Sequence, residues 1–347
     1  MSLLALATAT TLALFANADS TDQSAREFLN SPGVSISMQG AANALTVAQV
    51  QDLEKELKAN PDDIRKRVTL ITYYMNQSMF QQAASPFKDH VLYVIKHYPE
   101  TRYAGNPTLR LDGLVMPGET NPVSELWKQH VKEQPDNIAI LHNAARHFAV
   151  RDPKENEKLL LAARKLEPED SKISFDLART YMRQEQCGQS LAAFEEGFKT
   201  CSVSDRYNQL SDAAKAAFCA GEIEKAESYA KELLDLAVET GSGWNYGNAV
   251  HHGNLVLGRI ALKKDKIEEA ETYLLRAGRT PGSPQLNSFG PNMQLASELL
   301  ERGRKESVLQ YFDLCKKFWA MPRGKLDLWK QQVEKGETPN FGGNMKY

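Results

Sequence analysis

The chain has 347 residues, of which 42% are hydrophobic and 25% are charged, and its formal net charge is −2. This length suits two domains of ordinary size or one extended repeat array. The near-balance of charge argues against nucleic acid as a main partner, because phosphate binding needs a basic surface, and no basic block is present that would hold an anionic membrane.

The amino terminus has the pattern of an export signal. Residues 1–18 carry no charge, and the apolar run from Leu3 to Ala16 is too short to span a bilayer comfortably. Ala16-Asn17-Ala18 matches the A-x-A cleavage pattern, so we expect a signal peptide over 1–18 and a periplasmic or secreted mature protein starting at Asp19. No Lys or Arg precedes the run, which leaves two alternatives open: a misplaced start codon, or an ordinary helix in a cytoplasmic protein.

Residues 19–44 are polar and rich in Gly, Ser, Asn and Ala, with Pro32-Gly33 near their middle. This composition predicts a flexible lead-in. Thr46 then has the position of a helix N-cap, and Asn60-Pro61 ends the helix that follows. The apolar residues of this helix recur at helical spacing: Val47, Val50, Leu53 and Leu57.

A proline followed by an acidic residue recurs along the chain from this point. Proline at a helix start leaves no unpaired N–H, and the acidic side chain faces the positive end of the helix dipole. The pattern occurs at Pro61, Pro99, Pro135 and Pro168. Each interval predicts a pair of helices, except that we expect an extended loop between Gly105 and Pro122. Strand patterns are nearly absent.

The clearest helix pair lies between Asn254 and Gly282. Small or apolar residues stand where its two helices would cross closely: Gly258, Ala261, Ala270, Leu274 and Ala277. With the proline intervals, which are close to a period of about 34 residues, this pattern resembles the tetratricopeptide (TPR) repeat of exported bacterial proteins. The resemblance implies an all-α, right-handed α-solenoid of about seven helix pairs over 45–335. Lys325 to Lys335 would be its capping helix, and 336–347 a disordered tail.

The cysteines give a limited indication of compartment. None of the four forms a C-x-x-C pair, which argues against a zinc ribbon or a thioredoxin-like motif. Cys315 stands at a small-residue position, which indicates a buried thiol. Cys187 and Cys219 lie near the turns of successive repeats, where they would pair in an oxidising compartment or stay reduced.

Catalytic signatures are absent from the sequence. It contains no G-x-S-x-G, no H-E-x-x-H, no Walker loop and no G-x-G-x-x-G. We therefore assign no catalytic residue, cofactor or metal site. The adjacent His251 and His252 do not change this, because neighbouring residues on a helix point about 100° apart and cannot simply share one metal.

The most unusual composition lies between Gly241 and Asn292, where Asn, Gln, His and aromatic residues concentrate. In a TPR array the first helix of each pair lines the concave groove. On such a helix Asn245, Asn248, His252, Leu255 and Arg259 form one stripe, whose amide, imidazole and guanidinium groups suit a peptide backbone or a carboxylate. The following connection would add polar groups at the same end. The predicted partner-binding residues are Asn245, Asn248, His252, Arg259, Gln285, Asn287 and Asn292.

We therefore expect a non-enzymatic scaffold that binds a protein or peptide in its concave face. One alternative is an enzyme, or an enzyme accessory, whose small-molecule pocket lies within residues 244–292. Another is a cytoplasmic regulatory adaptor, if 1–18 is not a signal. A purely structural interpretation also stands: the residues of 281–292 cap helices and make turns, and Asn248 and His252 satisfy buried backbone groups.

Overall fold

The structure, a computed structural model, describes residues 22–76, 80–111, 120–241 and 243–345. These residues are helical and contain no strand, and the chain divides into two compact units, Met1–Pro168 and Glu169–Tyr347. Successive helices pack in consecutive pairs, which confirms the predicted all-α class. None of the described helices is long and apolar enough to cross a membrane. The predicted signal peptide lies outside the described residues.

Unit 1 contains helices α1 to α8. Their bounds are 22–30 (α1), Val34–Asn43 (α2), Val47–Ala59 (α3), Ile64–Asn76 (α4), Phe80–His97 (α5), Pro122–Glu133 (α6), Ile138–Phe148 (α7) and Pro153–Leu166 (α8). The segment predicted as an extended loop contains the short 3-10 helix Pro107–Leu109, and its residues 112–119 lie outside the described part of the chain.

The prediction of a flexible lead-in over 19–44 is wrong for the residues that the structure describes. Helices α1 and α2 occupy most of 22–43, and α2 packs against α4. Phe28 and Leu29 are buried, and the Tyr103 N–H donates to the Leu29 carbonyl at 3.1 Å. A few apolar residues are enough here because distant parts of unit 1 supply the surface that covers them.

Unit 2 contains helices α9 to α18. Their bounds are Ser171–Arg183 (α9), Cys187–Phe198 (α10), Val203–Cys219 (α11), Ile223–Thr240 (α12), Tyr246–Lys263 (α13), Ile267–Gly278 (α14), Pro284–Phe289 (α15), Gln294–Glu301 (α16), Lys305–Cys315 (α17) and Lys325–Glu334 (α18). The helix pairs are α9/α10, α11/α12, α13/α14 and α16/α17. The short α15 precedes the fourth pair, and α18 packs on α17 as predicted for a terminal helix.

Close helix crossings depend on the small residues that the sequence identifies. A side chain added at Gly258 would overlap the side chain of Leu295 on α16. Ala270, Leu274 and Ala277 are fully buried in the core of unit 2. Close packing of this kind tolerates no added volume without strain. The pattern that predicted the pair over 254–282 therefore marks real helix contacts.

The ends of the helix pairs in unit 2 form two edges. We call the edge that carries the turns within each pair, near residues 185, 221, 265 and 303, the turn edge. The opposite edge carries the segments that join one pair to the next, near residues 200, 244, 285 and 320, and we call it the connection edge. Because each pair is antiparallel, the two kinds of link cannot lie at the same edge.

Ion pairs and a disulfide link successive pairs at the turn edge. The ion pairs are Glu227–Lys264 at 2.8 Å, Asp265–Arg302 at 2.9 Å and Glu271–Arg304 at 2.6 Å. The disulfide joins Cys187 to Cys219, whose Cα atoms are 5.6 Å apart. The sequence left this pairing open, and the structure forms it.

The prediction of a disordered tail over 336–347 is wrong for its residues up to 345. Phe341 is 3% exposed and packs on the rings of Phe312 and Trp329. The Asn344 side-chain amide donates to the carbonyls of Phe289 at 3.1 Å and Pro291 at 2.9 Å. The tail therefore completes the core of unit 2, which composition alone did not indicate.

Candidate functional site

Three of the predicted partner-binding residues meet at the connection edge. The Asn248 amide donates to Asn245 Oδ1 at 3.2 Å and to Gln285 Oε1 at 3.3 Å. The Asn245 amide in turn donates to Asn208 Oδ1 on α11 at 3.2 Å, and Ser283 Oγ donates to Asn248 Oδ1 at 2.6 Å. We call these five residues the amide cluster. They link three successive parts of unit 2 across their connections.

The cluster forms because two backbone segments approach each other closely. Thr280 Oγ1 donates to the Gly247 carbonyl at 2.7 Å and accepts from the Gly282 N–H at 3.2 Å. A Cβ atom at Gly247 would overlap the Gly282 carbonyl. Gly247 is therefore required for the first turn of α13 to reach the connection that carries Ser283 and Gln285.

His251 is the buried centre of this region, and the sequence analysis did not select it. Its Nδ1–H donates to the Ala277 carbonyl at 3.1 Å, and its Nε2 accepts the backbone N–H of Asn292 at 3.1 Å. This arrangement requires the neutral ring with its proton on Nδ1. Burial lowers the pKa of His251 to about 4, so the ring is neutral at pH 7.

Asn292 acts mainly through its backbone. Its carbonyl accepts the Tyr311 hydroxyl at 2.9 Å, and its side-chain oxygen accepts the Gln294 N–H at 2.9 Å. The residue is only 3% exposed. Asn292 was predicted to contact a partner, but its side chain already caps the start of α16.

The remaining predicted residues lie in separate places. Burial, followed by Lys215 on α11, lowers the pKa of His252 well below 6.5. Arg259 forms an ion pair with Glu298 at 2.7 Å and lies over the Phe218 ring, 4.4 Å from its centroid. The Asn287 amide, turned to match its surroundings, donates to the carbonyls of Ser283 at 3.1 Å and Phe318 at 2.8 Å.

The predicted stripe on α13 is thus divided. Its Asn245 end belongs to the amide cluster, Leu255 is 4% exposed in the core, and Arg259 faces α16. The connection does lie beside the stripe's first residues, as the sequence predicts, since Asn248 contacts Gln285. Sequence reasoning missed Asn208 and Ser283, because their hydrogen bonds to Asn245 and Asn248 join residues 37 and 35 positions apart in the chain.

A second polar group of residues runs across the first helices of the four pairs. Arg179 on α9 donates to Gln209 on α11 at 2.7 Å, and Arg259 on α13 pairs with Glu298 on α16. Lys215 on α11 lies near enough to His252 on α13 to lower its pKa. We call this surface the first-helix face, and define it by Asp176, Arg179, Gln209, Asp212, Lys215, Arg259 and Glu298.

Two histidines of unit 1 have partners that resemble parts of catalytic sites. Both ring nitrogens of His90 are occupied, by Arg67 Nη1 at 3.1 Å and Glu54 Oε1 at 2.9 Å, which leaves none to move a substrate proton. His147 Nε2 lies 2.7 Å from Ser124 Oγ, and burial lowers the pKa of His147 to about 4. Among the described residues no carboxylate bonds to His147, so the pair lacks the group that orients the base in a triad.

Two comparisons with known proteins give no match from which a function could be assigned. A scan of the chain against protein-family models matches no family. A search of curated proteins finds no match either.

Proposed function

We propose that this chain is an exported, non-enzymatic scaffold of the TPR type, and that its first-helix face binds a segment of another protein. The observation that carries the proposal is that polar contacts join the first helices two by two, Arg179 with Gln209 and Arg259 with Glu298, with Lys215 on α11 near His252 on α13 between them. These groups extend over all four first helices, as a surface for an extended chain must.

The chemistry of the first-helix face fits a peptide. Arg179 and Arg259 present planar guanidinium groups, and Asp212 and Glu298 present carboxylates, so donors and acceptors alternate along the face. The side chains are partly exposed, 24% for Arg259 and 31% for Glu298, and their ion pairs have a modest free energy in water. A peptide backbone or carboxylate can therefore replace one partner without a large loss.

The amide cluster has a different role in this proposal. Its side chains bond mainly to one another, so it holds the connections in place and supports the face. This argues against the alternative of a small-molecule pocket within 244–292, because the amides that would line such a pocket already hydrogen-bond to one another.

The test is partner capture by purified residues 19–347 and by variants of matched chemistry. Arg259→Ala and Lys215→Ala should weaken capture about tenfold while leaving the helical circular dichroism unchanged. Arg276→Ala, on the second helix α14, is the control and should capture like the wild type. Equal capture by all variants would contradict the proposal.

Asn248→Ala separates support from contact. If the amide cluster only supports the face, the variant unfolds at lower urea concentration and loses capture in proportion. Weakened capture at unchanged stability would instead place Asn248 in direct contact with the partner. A photo-crosslinking amino acid at Gln209 should trap the partner, whereas the same group at the exposed Thr272 of α14 should not.

Export is the second part of the proposal. The disulfide between Cys187 and Cys219 fits an oxidising compartment. The mass of the mature protein tests this directly, because cleavage after Ala18 leaves Asp19 as the first residue. A protein that retains Met1 would favour the cytoplasmic adaptor.

A further inference from the structure

The two edges of unit 2 differ in what they expose. Among its described residues, the exposed large apolar side chains are Val203, Val238, Trp244, Phe289, Met321 and Leu328. They lie in or beside the segments that join one pair to the next, and Leu328 lies in the first turn of α18, just after the last of these segments. The turn edge carries ion pairs and the disulfide instead. Apolar exposure at one edge only is unusual for a surface that faces water alone.

The amide cluster links the two segments that carry the exposed aromatic side chains, Trp244 and Phe289. Trp244 directly precedes Asn245, and Phe289 lies one helical turn after Gln285 on α15. Since Asn245 and Gln285 both bond to Asn248, the segments that carry the rings are fixed by one network. The rings are 62% and 70% exposed.

The same network continues toward Met321. The Ala320 N–H donates to the Asn287 carbonyl at 3.0 Å, which ties the segment after α17 to α15. Met321 follows at once and is half exposed. Trp244, Phe289 and Met321 therefore stand on three segments that hydrogen bonds tie together.

Unpaired basic side chains accompany this row. Arg279, Lys317 and Arg323 are exposed at the connection edge, and none of them takes part in an ion pair among the described residues. Acidic groups are exposed there too, but Glu196 and Asp327 already pair with Lys199 and Lys316, and Glu239 at the end of α12 is left without an ion pair among the described residues. The edge thus combines apolar anchors with more unpaired basic groups than unpaired acidic ones.

We propose that the connection edge is a second docking surface, and that its occupant is an acidic amphipathic segment of another protein. The apolar side chains of that segment pack on Trp244 and Phe289, and its carboxylates pair with Arg279, Lys317 and Arg323. Charge complementarity selects this occupant, because carboxylates favour guanidinium partners, and Glu196 and Asp327 at this edge are already paired with lysines. The surface is separate from the first-helix face and does not depend on it.

Tryptophan fluorescence reports on this surface in the intact protein. Trp127, Trp319 and Trp329 are each less than 5% exposed, whereas Trp244 is 62% exposed. Covering Trp244 should shift the emission to shorter wavelength and protect it from acrylamide. The probe is a synthetic peptide of alternating Leu and Glu. Its controls replace every Leu with Ser, or every Glu with Lys.

We expect the Leu/Glu peptide to give the shift and both control peptides to bind at least about tenfold more weakly. Phe289→Ser and Arg279→Glu should each weaken the Leu/Glu peptide by about tenfold or more. Val150→Ser, an exposed apolar side chain of unit 1, and Lys305→Glu, an exposed lysine at the turn edge, should leave binding unchanged. Unchanged circular dichroism shows that a variant is folded.

Four results would overturn the proposal. Three are no shift with the Leu/Glu peptide at about 1 mM, equal binding of the Lys-substituted peptide, and equal loss in the Val150 and Phe289 variants. The fourth is a shift that follows protein concentration alone, which would indicate a second copy of this chain. A shift on anionic phosphatidylglycerol vesicles without peptide binding would assign the edge to a membrane. Normal capture through the first-helix face would persist in every one of these cases.

Discussion

The Nε2 atom of His251 accepts the backbone N–H of Asn292 at 3.1 Å, and the opposite ring nitrogen donates to the Ala277 carbonyl at 3.1 Å. One side chain of α13 thereby satisfies the end of α14 and the start of the fourth pair. Because both backbone groups are buried, the ring replaces water that cannot reach them.

Replacing His251 with phenylalanine should destabilise unit 2 by about 1–3 kcal/mol. The substitution keeps a flat ring in the core but leaves the buried Asn292 N–H without a partner, and the Ala277 carbonyl keeps only the Thr280 N–H at 3.4 Å. Urea unfolding followed by circular dichroism measures the loss. His97→Phe, at an exposed position on α5, is the control. A loss below about 1 kcal/mol for His251→Phe would mean that the two hydrogen bonds contribute little.

Acid should weaken the fold through the same residue. The pKa of His251 is near 6.5 in the unfolded chain and about 4 in the folded one, so the unfolded chain binds the proton first. Its contribution is therefore complete above pH 6.5 and is lost as the pH falls toward 4, by on the order of 3 kcal/mol. Unfolding midpoints across this range should fall more steeply for the wild type than for His251→Phe. Parallel curves would contradict this assignment.

The disulfide should stabilise unit 2 by about 3–4 kcal/mol, the amount that chain entropy predicts for a closed loop of this separation, 32 residues. The double variant Cys187→Ser, Cys219→Ser should lose this stability, and Cys201→Ser should lose little. Thiol titration of the denatured, unreduced protein should find two free thiols, from Cys201 and Cys315. Four titratable thiols would refute the pairing.

The tail should contribute to stability even though its composition suggests disorder. Phe341→Ala should cost about 3–5 kcal/mol, because it leaves a cavity between Phe312 and Trp329. Asn344→Ala should cost about 1–3 kcal/mol, because the carbonyls of Phe289 and Pro291 lose their donor. Glu337→Ala, at an exposed position, is the control in urea unfolding. Equal midpoints for all three variants would show that the tail is not packed in solution.

The spacing of residues along the chain was enough to predict the helix crossings and the terminal helix. Gly258, Ala270 and Ala277 stand at helix crossings because a side chain of any size would meet the neighbouring helix, and the spacing of such residues is visible in the sequence. The terminal helix α18 was predicted for the same reason, since Leu326, Trp329 and Val333 recur at helical spacing and are all buried.

Contacts between distant residues were not predictable in this way. Phe28, Leu29 and Phe341 stand in polar surroundings that predict disorder, and only the distant surfaces that cover them make them core residues. The candidate site follows the same rule. The stripe on α13 gave the correct residue types, but Asn208 and Ser283 decide that the amides bond internally, and no local pattern connects them.

The packing of the tail has a consequence for synthesis. Residues 341–345 leave the ribosome after every other element of unit 2, yet they cover Phe312 and Trp329 and bond to the segment before α16. A nascent chain that has completed α18 therefore still exposes these aromatic rings. Its last hydrophobic contacts form only once Phe341 has left the ribosome, and products cut short before Phe341 should be recognised by chaperones and degraded.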